Sequence, residues 1–319
     1  MPANARKPVL QNCVLLAADG FIDDLKLELG AVTELRDRLV FAPLPEVTPA
    51  WAQDIWFHPE RISFDSISEA ARLLKARGKF WSLYPLTNHR RAALIQEQLP
   101  KVKLPPLKFG EELTLSPIGA WALLDAHTLV LSPQRWKLWP HGEMNFIEDK
   151  NFPPTRAYLK LWEILTLIGE KPKKGDHCLD LGSSPGGWTW VLQTCGADVT
   201  SVDKADLDPK ILCLPRVTHL RQSAFALDPK EFPTLDWLCC DVICYPERLY
   251  KMIQRWLDAD VCQHFVCTVK LQGETDFDAV AKFKAIPDSC LLHLFHNKHE
   301  LTWIWPQPER LLMNHGVML

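Results

Sequence analysis

The stretch LDLGSSPGGWTW, residues 179–190, places three glycines and a proline between two apolar runs. The letters HCLDLG before the glycines predict a buried strand, and GGWTWVLQTC predicts the helix that follows. Asp203 ends a second predicted strand, DVTSVD, 21 residues after Gly182. In a doubly wound α/β sheet, ligands bind beyond the carboxyl ends of the strands. The stretch therefore predicts a ligand-binding turn after the first strand of such a sheet.

The remainder of residues 154–319 continues this alternation of apolar strands and amphipathic helices. That pattern favours a mostly parallel sheet with helices on both faces, which is a Rossmann-like α/β domain. The last two predicted strands, CLLHLFHN and LTWIWP, are expected to form an antiparallel hairpin. The domain should open with the helix PTRAYLKLWEILTLIG, with Pro154 in its first turn.

Residues 1–132 mix shorter strand and helix patterns, which predict a smaller α+β domain. SISEAARLLKARG is its clearest helix, because Ser66 suits the N-cap and Glu69 follows three residues later. The segments EELTLSP, AWALLDA and HTLVLSP predict short antiparallel strands. Residues 133–153 are rich in proline and lack a period, so they predict a connecting arm. Trp136 and Trp139 in this arm are expected either to stack on unpaired bases or to pin the arm to its domain.

The composition is that of a globular protein, with 319 residues, 47% hydrophobic residues and 24% charged residues. No apolar run is long enough for a membrane helix, and the first 20 residues lack a secretory apolar core. Ten cysteines without a C-x-x-C pair predict buried free thiols in a reducing compartment, hence a cytoplasmic protein. The three closely spaced histidines of HLFHNKHE would not share one face of a strand, so no metal site is expected.

The net charge of −3 conceals a basic segment, since residues 72–108 carry nine basic side chains and one acidic one, Glu97. A local positive field of this kind can hold phosphates, although a solvated helix face is the alternative interpretation. The candidate RNA-binding residues in this segment are Arg77, Lys79, Arg90, Arg91, Lys101 and Lys103.

The glycine turn is a poor match for a pyrophosphate site, because it is neither G-x-G-x-x-G nor a P-loop. Asp180 leads into it, and an acidic residue there suits a cationic ligand. Asp203 is placed to accept hydrogen bonds from ribose hydroxyls. Together these features favour S-adenosylmethionine, which has a ribose and a positively charged amino-acid tail. A tight structural turn without a ligand is the alternative.

The motif DLGSSPGGWT resembles the cofactor turn of the FtsJ/RrmJ-like ribose 2′-O-methyltransferases, and the resemblance covers residues 154–305. It implies a Rossmann-like domain that binds S-adenosylmethionine. Ser223 departs from the family, which usually has an acidic residue near the adenine. The cofactor-binding residues that the resemblance and the turn indicate are Asp180, Gly182, Ser183, Pro185, Gly186, Gly187, Trp188, Asp203, Ser223 and Asp241.

The same resemblance implies a catalytic tetrad carried by four segments in order. TRAYLKLWEI supplies Lys160, CCDVICYPE supplies Asp241, VKLQGETDFD supplies Lys270 and HNKHELTWIW supplies Glu300. Lysine at its ordinary pKa is protonated at neutral pH, and burial beside another cation favours the neutral form. We therefore expect Lys270 to be the base and Lys160 its electrostatic partner. Asp241 and Glu300 are expected to orient the two lysines and balance their charge.

Within the family, the chain is most similar to the branch that methylates a cytidine ribose of 23S rRNA. That branch carries an N-terminal α+β RNA-binding domain related to the THUMP type, and the order of the two domains agrees. The expected partner is thus RNA, as 23S rRNA or a ribosomal assembly intermediate, with no membrane and no obligate protein partner. The alternatives are a tRNA or a capped 5′ end as substrate, or a catalytically silent RNA-binding protein.

Overall fold

The chain folds into two compact units in a computed structural model that describes residues 12–111 and 116–312. The first unit contains described residues 12–105 and 116–143, and the second contains residues 106–111 and 144–312. The boundary between Glu143 and Met144 falls inside the predicted arm. The strand predicted from EELTLSP lies largely outside the described residues. In the described part of the chain, no helix is long and apolar enough to cross a membrane.

The first unit contains two sheets, and three helices accompany them. In chain order the elements are β1 (Asn12–Ala17), α1 (Ile22–Leu29), β2 (Glu34–Arg36), β3 (Leu39–Pro43), β4 (Ala52–Phe57), β5 (Glu60–Ser63), α2 (Ile67–Lys75), β6 (Phe80–Leu83), α3 (His89–Glu97), β7 (Ile118–Leu123), β8 (Thr128–Ser132) and β9 (Gln134–Arg135). The strand orders are β2-β3-β1-β4-β9 and β5-β8-β7-β6, and among the described strands of this unit only the β6–β7 pair is parallel.

Alternation along β7 explains how this strand contributes to two hydrophobic clusters, one on each face of its sheet. Trp121 and Leu123 face α2 and α3, whereas Ala120 and Ala122 belong to a second cluster with residues of β1, β3 and β4. The predicted cap of α2 is confirmed, because the Ser66 hydroxyl accepts the Glu69 N–H at 3.2 Å. The α+β architecture predicted for this part of the chain is therefore present.

The sequence prediction missed β4 because all six of its residues are buried and no alternation marks it. Asp54 interrupts its apolar character. The structure pairs this carboxylate with Arg135 of β9 at 2.8 Å, and both side chains are almost completely buried. The Arg135 guanidinium also donates to the backbone oxygens of Ile118, Leu138 and Trp139. The first residues of the predicted arm are thus part of the five-stranded sheet, and the buried Trp139 pins the arm to its own unit.

The elements of the second unit are α4 (Tyr158–Ile168), β10 (His177–Leu181), α5 (Gly187–Thr194), β11 (Asp198–Asp203), α6 (Pro209–Leu212), β12 (Val217–Arg221), β13 (Leu235–Cys240), α7 (Pro246–Ala259), β14 (Cys262–Lys270), α8 (Phe277–Lys284), β15 (Cys290–Leu292) and β16 (Glu300–Trp305). The strands form a seven-stranded sheet with order β12-β11-β10-β13-β14-β16-β15. The strands from β12 to β14 are parallel, and β16 is antiparallel to both of its neighbours.

This topology confirms the predicted Rossmann-like domain and its final hairpin. The strand order reverses between β10 and β13, and such switch points form a crevice at the carboxyl ends of the strands. The bounds of one helix and the presence of two short elements, α6 and β12, differ from the prediction. Helix α4 begins at Tyr158, not in the turn at Pro154. Strand β12 escaped prediction because, at the sheet edge, none of its residues is fully buried.

Candidate active site

Four charged side chains from distant parts of the chain meet at the carboxyl ends of the central strands. Lys160 Nζ lies 3.0 Å and 2.9 Å from the two Asp241 oxygens and 3.0 Å from Glu300 Oε1. Lys270 Nζ lies 2.8 Å from Asp241 Oδ1 and 3.9 Å from Glu300 Oε2. The four residues that the sequence singled out therefore form one cluster of two cations and two anions.

Backbone pairing explains why these residues meet. Asp241 directly follows β13, and its N–H donates to the carbonyl of Leu181 at the end of β10. Lys270 ends β14 and lies opposite Glu300, the first residue of antiparallel β16. Lys160 is in the first turn of α4. Three neighbouring elements of the sheet thus deliver three of the charges to one edge, and α4 delivers the fourth.

The two lysines differ in how tightly they are held. Burial by itself would lower the pKa of Lys160, but attraction by Asp241 and Glu300 outweighs burial and the pKa is raised. Its side chain is 9% exposed, against 20% for Lys270, which makes fewer close contacts. Both nitrogens contact Asp241 Oδ1, so they are no more than about 6 Å apart, within reach of mutual repulsion. Lys160 is thus the fixed cation, and Lys270 is the more accessible amine.

The glycine turn after β10 is folded more tightly than a side chain would permit. Gly182 has φ +76°, and a Cβ there would lie 2.6 Å from Val242 Cγ2 and 2.9 Å from Val242 N. Gly186 has φ +114° and directly precedes α5. The glycine turn and the loop after β13 therefore lie in close backbone contact, and α5 begins directly after the turn.

Two polar atoms at this turn are buried without a protein partner. Asp180 is fully buried, and its Oδ2 accepts the Thr189 hydroxyl at 2.6 Å. Within the described residues, Asp180 Oδ1 and Ser183 Oγ have no hydrogen-bond partner. Burial raises the pKa of Asp180 to about 7. Unpaired buried polar atoms are costly, so the turn fits a ligand that brings hydrogen-bond donors or positive charge.

The other predicted cofactor residues are placed around the same turn. The Asp203 carboxylate accepts the N–H groups of Ser184 at 3.1 Å and Ala205 at 2.9 Å, and each oxygen retains a lone pair for a ribose hydroxyl. Ser223 follows edge strand β12 and caps a short 3-10 turn. Trp188 is buried, donates from Nε1 to Ala157 O at 2.9 Å, and places its ring 5.9 Å from Lys160 Nζ. The contacts described for Trp188 therefore support the start of α4.

The buried carboxyl of Asp180 should make stability depend on pH. Because its folded-state pKa is raised to about 7, the stability it contributes is full below its ordinary pKa and is lost as the pH rises through 7. From about pH 4 to about pH 8, we expect the free energy of unfolding of the wild type to fall, relative to that of Asp180→Asn, by on the order of 3 kcal/mol. Urea unfolding of the cofactor-free proteins at both pH values measures this difference. Parallel pH dependences would contradict it.

Glu163 is a site residue that sequence analysis missed. It lies one helical turn after Lys160 and is 1% exposed. Its carboxylate accepts the N–H of Phe295 at 2.7 Å and of His296 at 3.0 Å, and lies 2.7 Å from His296 Nδ1. It thereby fastens to α4 the loop that leads into Glu300. The only signal in the sequence was one acidic residue inside the apolar helix LWEILTLI.

Replacement of Glu163 by glutamine should loosen this loop without removing a tetrad side chain. The amide has one acceptor oxygen where the carboxylate has two, so one of the loop N–H groups loses its partner. We expect kcat to fall about 10-fold, with the Kd for S-adenosylmethionine unchanged. Glu274→Gln, at an exposed site in the loop after Lys270, is the control. Equal kcat values for the two variants would show that Glu163 serves packing alone.

The basic residues predicted for RNA binding differ in whether their charged groups are engaged within the first unit. Arg77 Nε lies 2.7 Å from Glu60 Oε2, and Arg91 Nη2 donates to Asp65 O at 3.2 Å. These two guanidinium groups therefore have partners within the unit. The exposed members of the set are Lys79, Arg90, Lys101 and Lys103. Over the described ranges, no group of three His, Cys, Asp or Glu side chains is arranged to hold a metal ion.

Known proteins are similar in sequence to much of the second unit and, in one case, to 84% of the chain. The FtsJ-like methyltransferase family matches residues 154–294. Ribosomal RNA large subunit methyltransferase M of Xylella fastidiosa is 30% identical over 285 residues, or 84% of this chain and 75% of the relative. The protein of that name from Halorhodospira halophila is 32% identical over 172 residues, or 51% of this chain and 50% of the relative. The solved structure of TrmN from Thermus thermophilus aligns with 92% of this chain and 98% of its own, at 17% identity and a TM-score of 0.35.

Proposed function

Because the chain belongs to the family of ribosomal RNA large subunit methyltransferase M, we propose that it methylates the ribose 2′-hydroxyl of a cytidine in 23S rRNA. The expectations of an FtsJ-like RNA methyltransferase and of S-adenosylmethionine as methyl donor are confirmed by this membership. The chain spans half the length of one curated relative and three quarters of another. The ribose, the cytidine and the roles of individual residues are our proposal.

The observation that carries the proposal is the Lys160–Asp241–Lys270–Glu300 cluster beside the glycine turn. A ribose hydroxyl is a weak nucleophile that keeps its proton at neutral pH, so the site must orient it and accept that proton. The Asp241 and Glu300 carboxylates hold the two lysine amines within 3.9 Å. The site therefore has hydrogen-bond donors at fixed positions and an amine nearby that can accept the proton. Bases, in contrast, are commonly methylated with a cysteine nucleophile or an Asn/Asp-Pro-Pro-Tyr/Phe loop. Here β13 runs into DVICYPE, which has no Pro-Pro pair and whose one cysteine, Cys244, is buried.

We assign the base to Lys270 because it is the less restrained of the two lysines. In its neutral form its amine accepts the proton of the 2′-hydroxyl. Lys160, held charged by both carboxylates, orients the hydroxyl. Asp241 contacts both amines and Glu300 fixes their spacing.

S-adenosylmethionine, when bound, supplies an electrophilic methyl group on a sulfonium. The orphaned atoms of Asp180 and Ser183 suit its positively charged amino-acid tail, and Asp203 suits its ribose hydroxyls. Trp188 acts through Lys160, whose helix it supports. The remaining residues proposed for the cofactor site are Gly182, Pro185, Gly186, Gly187, Ser223 and Asp241.

Residues 1–132 are proposed to form a THUMP-related domain that binds RNA. Residues 133–153, whose first part packs in the same unit, lead into the methyltransferase domain at 154–319. Its exposed lysines and Arg90 would contact phosphates, which position RNA without reading its sequence. Ten free cysteines suit the reducing cytoplasm, where we place the reaction.

Removal of Lys101 and Lys103 together should weaken RNA binding in a salt-dependent way. Each phosphate contact contributes roughly 0.7 to 0.9 to the slope of log K against log salt, so we expect the double alanine variant to lower that slope by about 1.5. Filter binding to 23S rRNA over a salt series measures it. Lys173→Ala/Lys174→Ala, at two exposed lysines just before β10, is the control and should leave the slope unchanged. An unchanged slope in the first variant would remove these lysines from the RNA-binding surface.

The substrate is tested by incubation of the protein with methyl-labelled S-adenosylmethionine, unmodified 23S rRNA, ribosomal assembly intermediates and tRNA. We expect label in 23S rRNA or in its assembly intermediates. Label in tRNA alone would retain the enzyme class and replace the target. Cofactor binding without transfer to any of these RNAs would favour the silent RNA-binding protein.

A further inference from the structure

The loop that follows Asp241 exposes two large apolar side chains beside the tetrad. Ile243 is 80% exposed, the highest value for a large apolar side chain in the described part of the chain, and Tyr245 is 68% exposed. Between them, Cys244 is 8% exposed. The loop thus alternates, with Cys244 directed into the domain and its two neighbours directed into solvent.

Strand order places this loop between the cofactor turn and Lys270. The strand before it, β13, lies between β10, which ends in the glycine turn, and β14, which ends at Lys270. Val242 packs against Gly182 on one side. On the other side, burial raises the pKa of Cys244 to about 11, and the positive charges of Arg248 and Lys270 act against that rise. The loop is therefore within electrostatic reach of the proposed base.

The backbone of Tyr245 is fixed although its ring is exposed. Its carbonyl accepts the N–H groups of Arg248 at 3.0 Å and Leu249 at 3.3 Å, and it caps α7. The next residue, Pro246, occupies the first turn of α7 and is buried. Proline at this position restricts the chain to the conformation that the helix requires. The ring is thus presented from a rigid point at the edge of the site.

We propose that Ile243 and Tyr245 form the surface on which the base of the target nucleotide stacks, and that the enzyme therefore takes its target as an unpaired nucleotide. This inference rests on the proposed function. A nucleotide whose 2′-hydroxyl reaches Lys270 must carry its own base to within a few ångströms of the tetrad. The loop offers an aromatic ring and an aliphatic side chain there, and an aromatic ring stacks on any base that has left its duplex.

Stacking on this loop distinguishes unpaired from paired nucleotides, but it does not distinguish one base from another. Every base has a π-face, so Tyr245 accepts cytidine and other bases alike. A base within a duplex has both faces covered by its neighbours and cannot use the loop. The choice of cytidine must then come from other contacts, and the loop supplies the requirement that the nucleotide be unstacked.

The test compares Tyr245→Ala, Tyr245→Phe and Ile243→Ala with Leu27→Ala, which truncates a 69% exposed side chain on α1 of the first unit. Methyl transfer to unmodified 23S rRNA and the Kd for S-adenosylmethionine are measured for each. Base–aromatic stacking of about 1–3 kcal/mol predicts a KM for RNA raised at least about 5-fold in Tyr245→Ala. Tyr245→Phe and Leu27→Ala should match the wild type, and Kd for the cofactor should stay constant in all four.

Three results would overturn the inference. They are a wild-type KM and kcat in Tyr245→Ala, an equal loss in Tyr245→Phe, or wild-type transfer when a complementary oligonucleotide pairs the target nucleotide. If the wild type transferred no methyl group to RNA, the proposed function would fail separately. The RNA affinity of the same variants would then test the inference. Weaker RNA binding by Tyr245→Ala but not by Leu27→Ala would support it, and equal RNA binding by these two variants would refute it.

Discussion

Replacement of Lys270 by alanine is expected to lower the rate of methyl transfer about 10³-fold and to leave cofactor binding intact. The lysine lies 2.8 Å from Asp241 and is the most exposed member of the tetrad, so it is the amine that a hydroxyl can reach. Its loss removes the proton acceptor, and a positioned general base contributes typically 10²- to 10⁴-fold. Single-turnover transfer to 23S rRNA and calorimetric titration with S-adenosylmethionine measure the two quantities.

Lys298→Ala is the matched control for this result. Lys298 is exposed, lies two residues before Glu300 and carries the same charge. Its removal should leave the transfer rate near that of the wild type. Full activity in Lys270→Ala with normal cofactor binding would defeat the assignment of the base.

Gly182→Ala should abolish binding of S-adenosylmethionine, with a Kd raised at least about 100-fold. The glycine adopts φ +76°, a conformation that costs an L-residue about 1–3 kcal/mol. Its Cβ would also lie 2.8 Å from Val242 Cα and 2.9 Å from Val242 N, which are backbone atoms that cannot rotate away. Relief of that clash must separate the glycine turn from the β13 loop and displace Asp241. Calorimetric titration measures the change in Kd.

Gly175→Ala is the control that separates the cost of a positive φ from the cost of the clash with Val242. Gly175 has φ +92°, and nothing lies within 4 Å of a Cβ built there. It should lose stability but retain the cofactor affinity of the wild type. If Gly182→Ala bound the cofactor as tightly as Gly175→Ala, the close contact with Val242 would have no role in the site.

The sheet could be predicted because its signals are local and ordered along the chain, whereas the tetrad was indicated by the resemblance of four short segments to a known family. Buried parallel strands give continuous apolar runs, and Asp241 follows one such run while Lys270 ends another. Pairings between distant segments gave no such signal. The Asp54–Arg135 ion pair joins residues 81 positions apart, and Glu163 reaches its loop across 132 residues. Neither contact has a periodicity, so only the fold reveals it.

The sequence also did not indicate which of these side chains are exposed to solvent. In DVICYPE, one apolar and one aromatic residue would usually be assigned to a core, but the structure turns both toward solvent. Conversely, Arg77 and Arg91 belonged to a basic run by composition, and each is engaged within its own unit. The direction of a side chain depends on the packing of its neighbours, which a one-dimensional pattern does not contain.

The most direct test of the central claim is the chemical identity of the methylated nucleoside. Unmodified 23S rRNA is treated with the protein and S-adenosylmethionine, digested to nucleosides and analysed by chromatography with mass spectrometry. The proposal predicts 2′-O-methylcytidine, with the added mass on the ribose fragment and none of it when Lys270→Ala replaces the wild type. A product with the methyl group on the base fragment would contradict it.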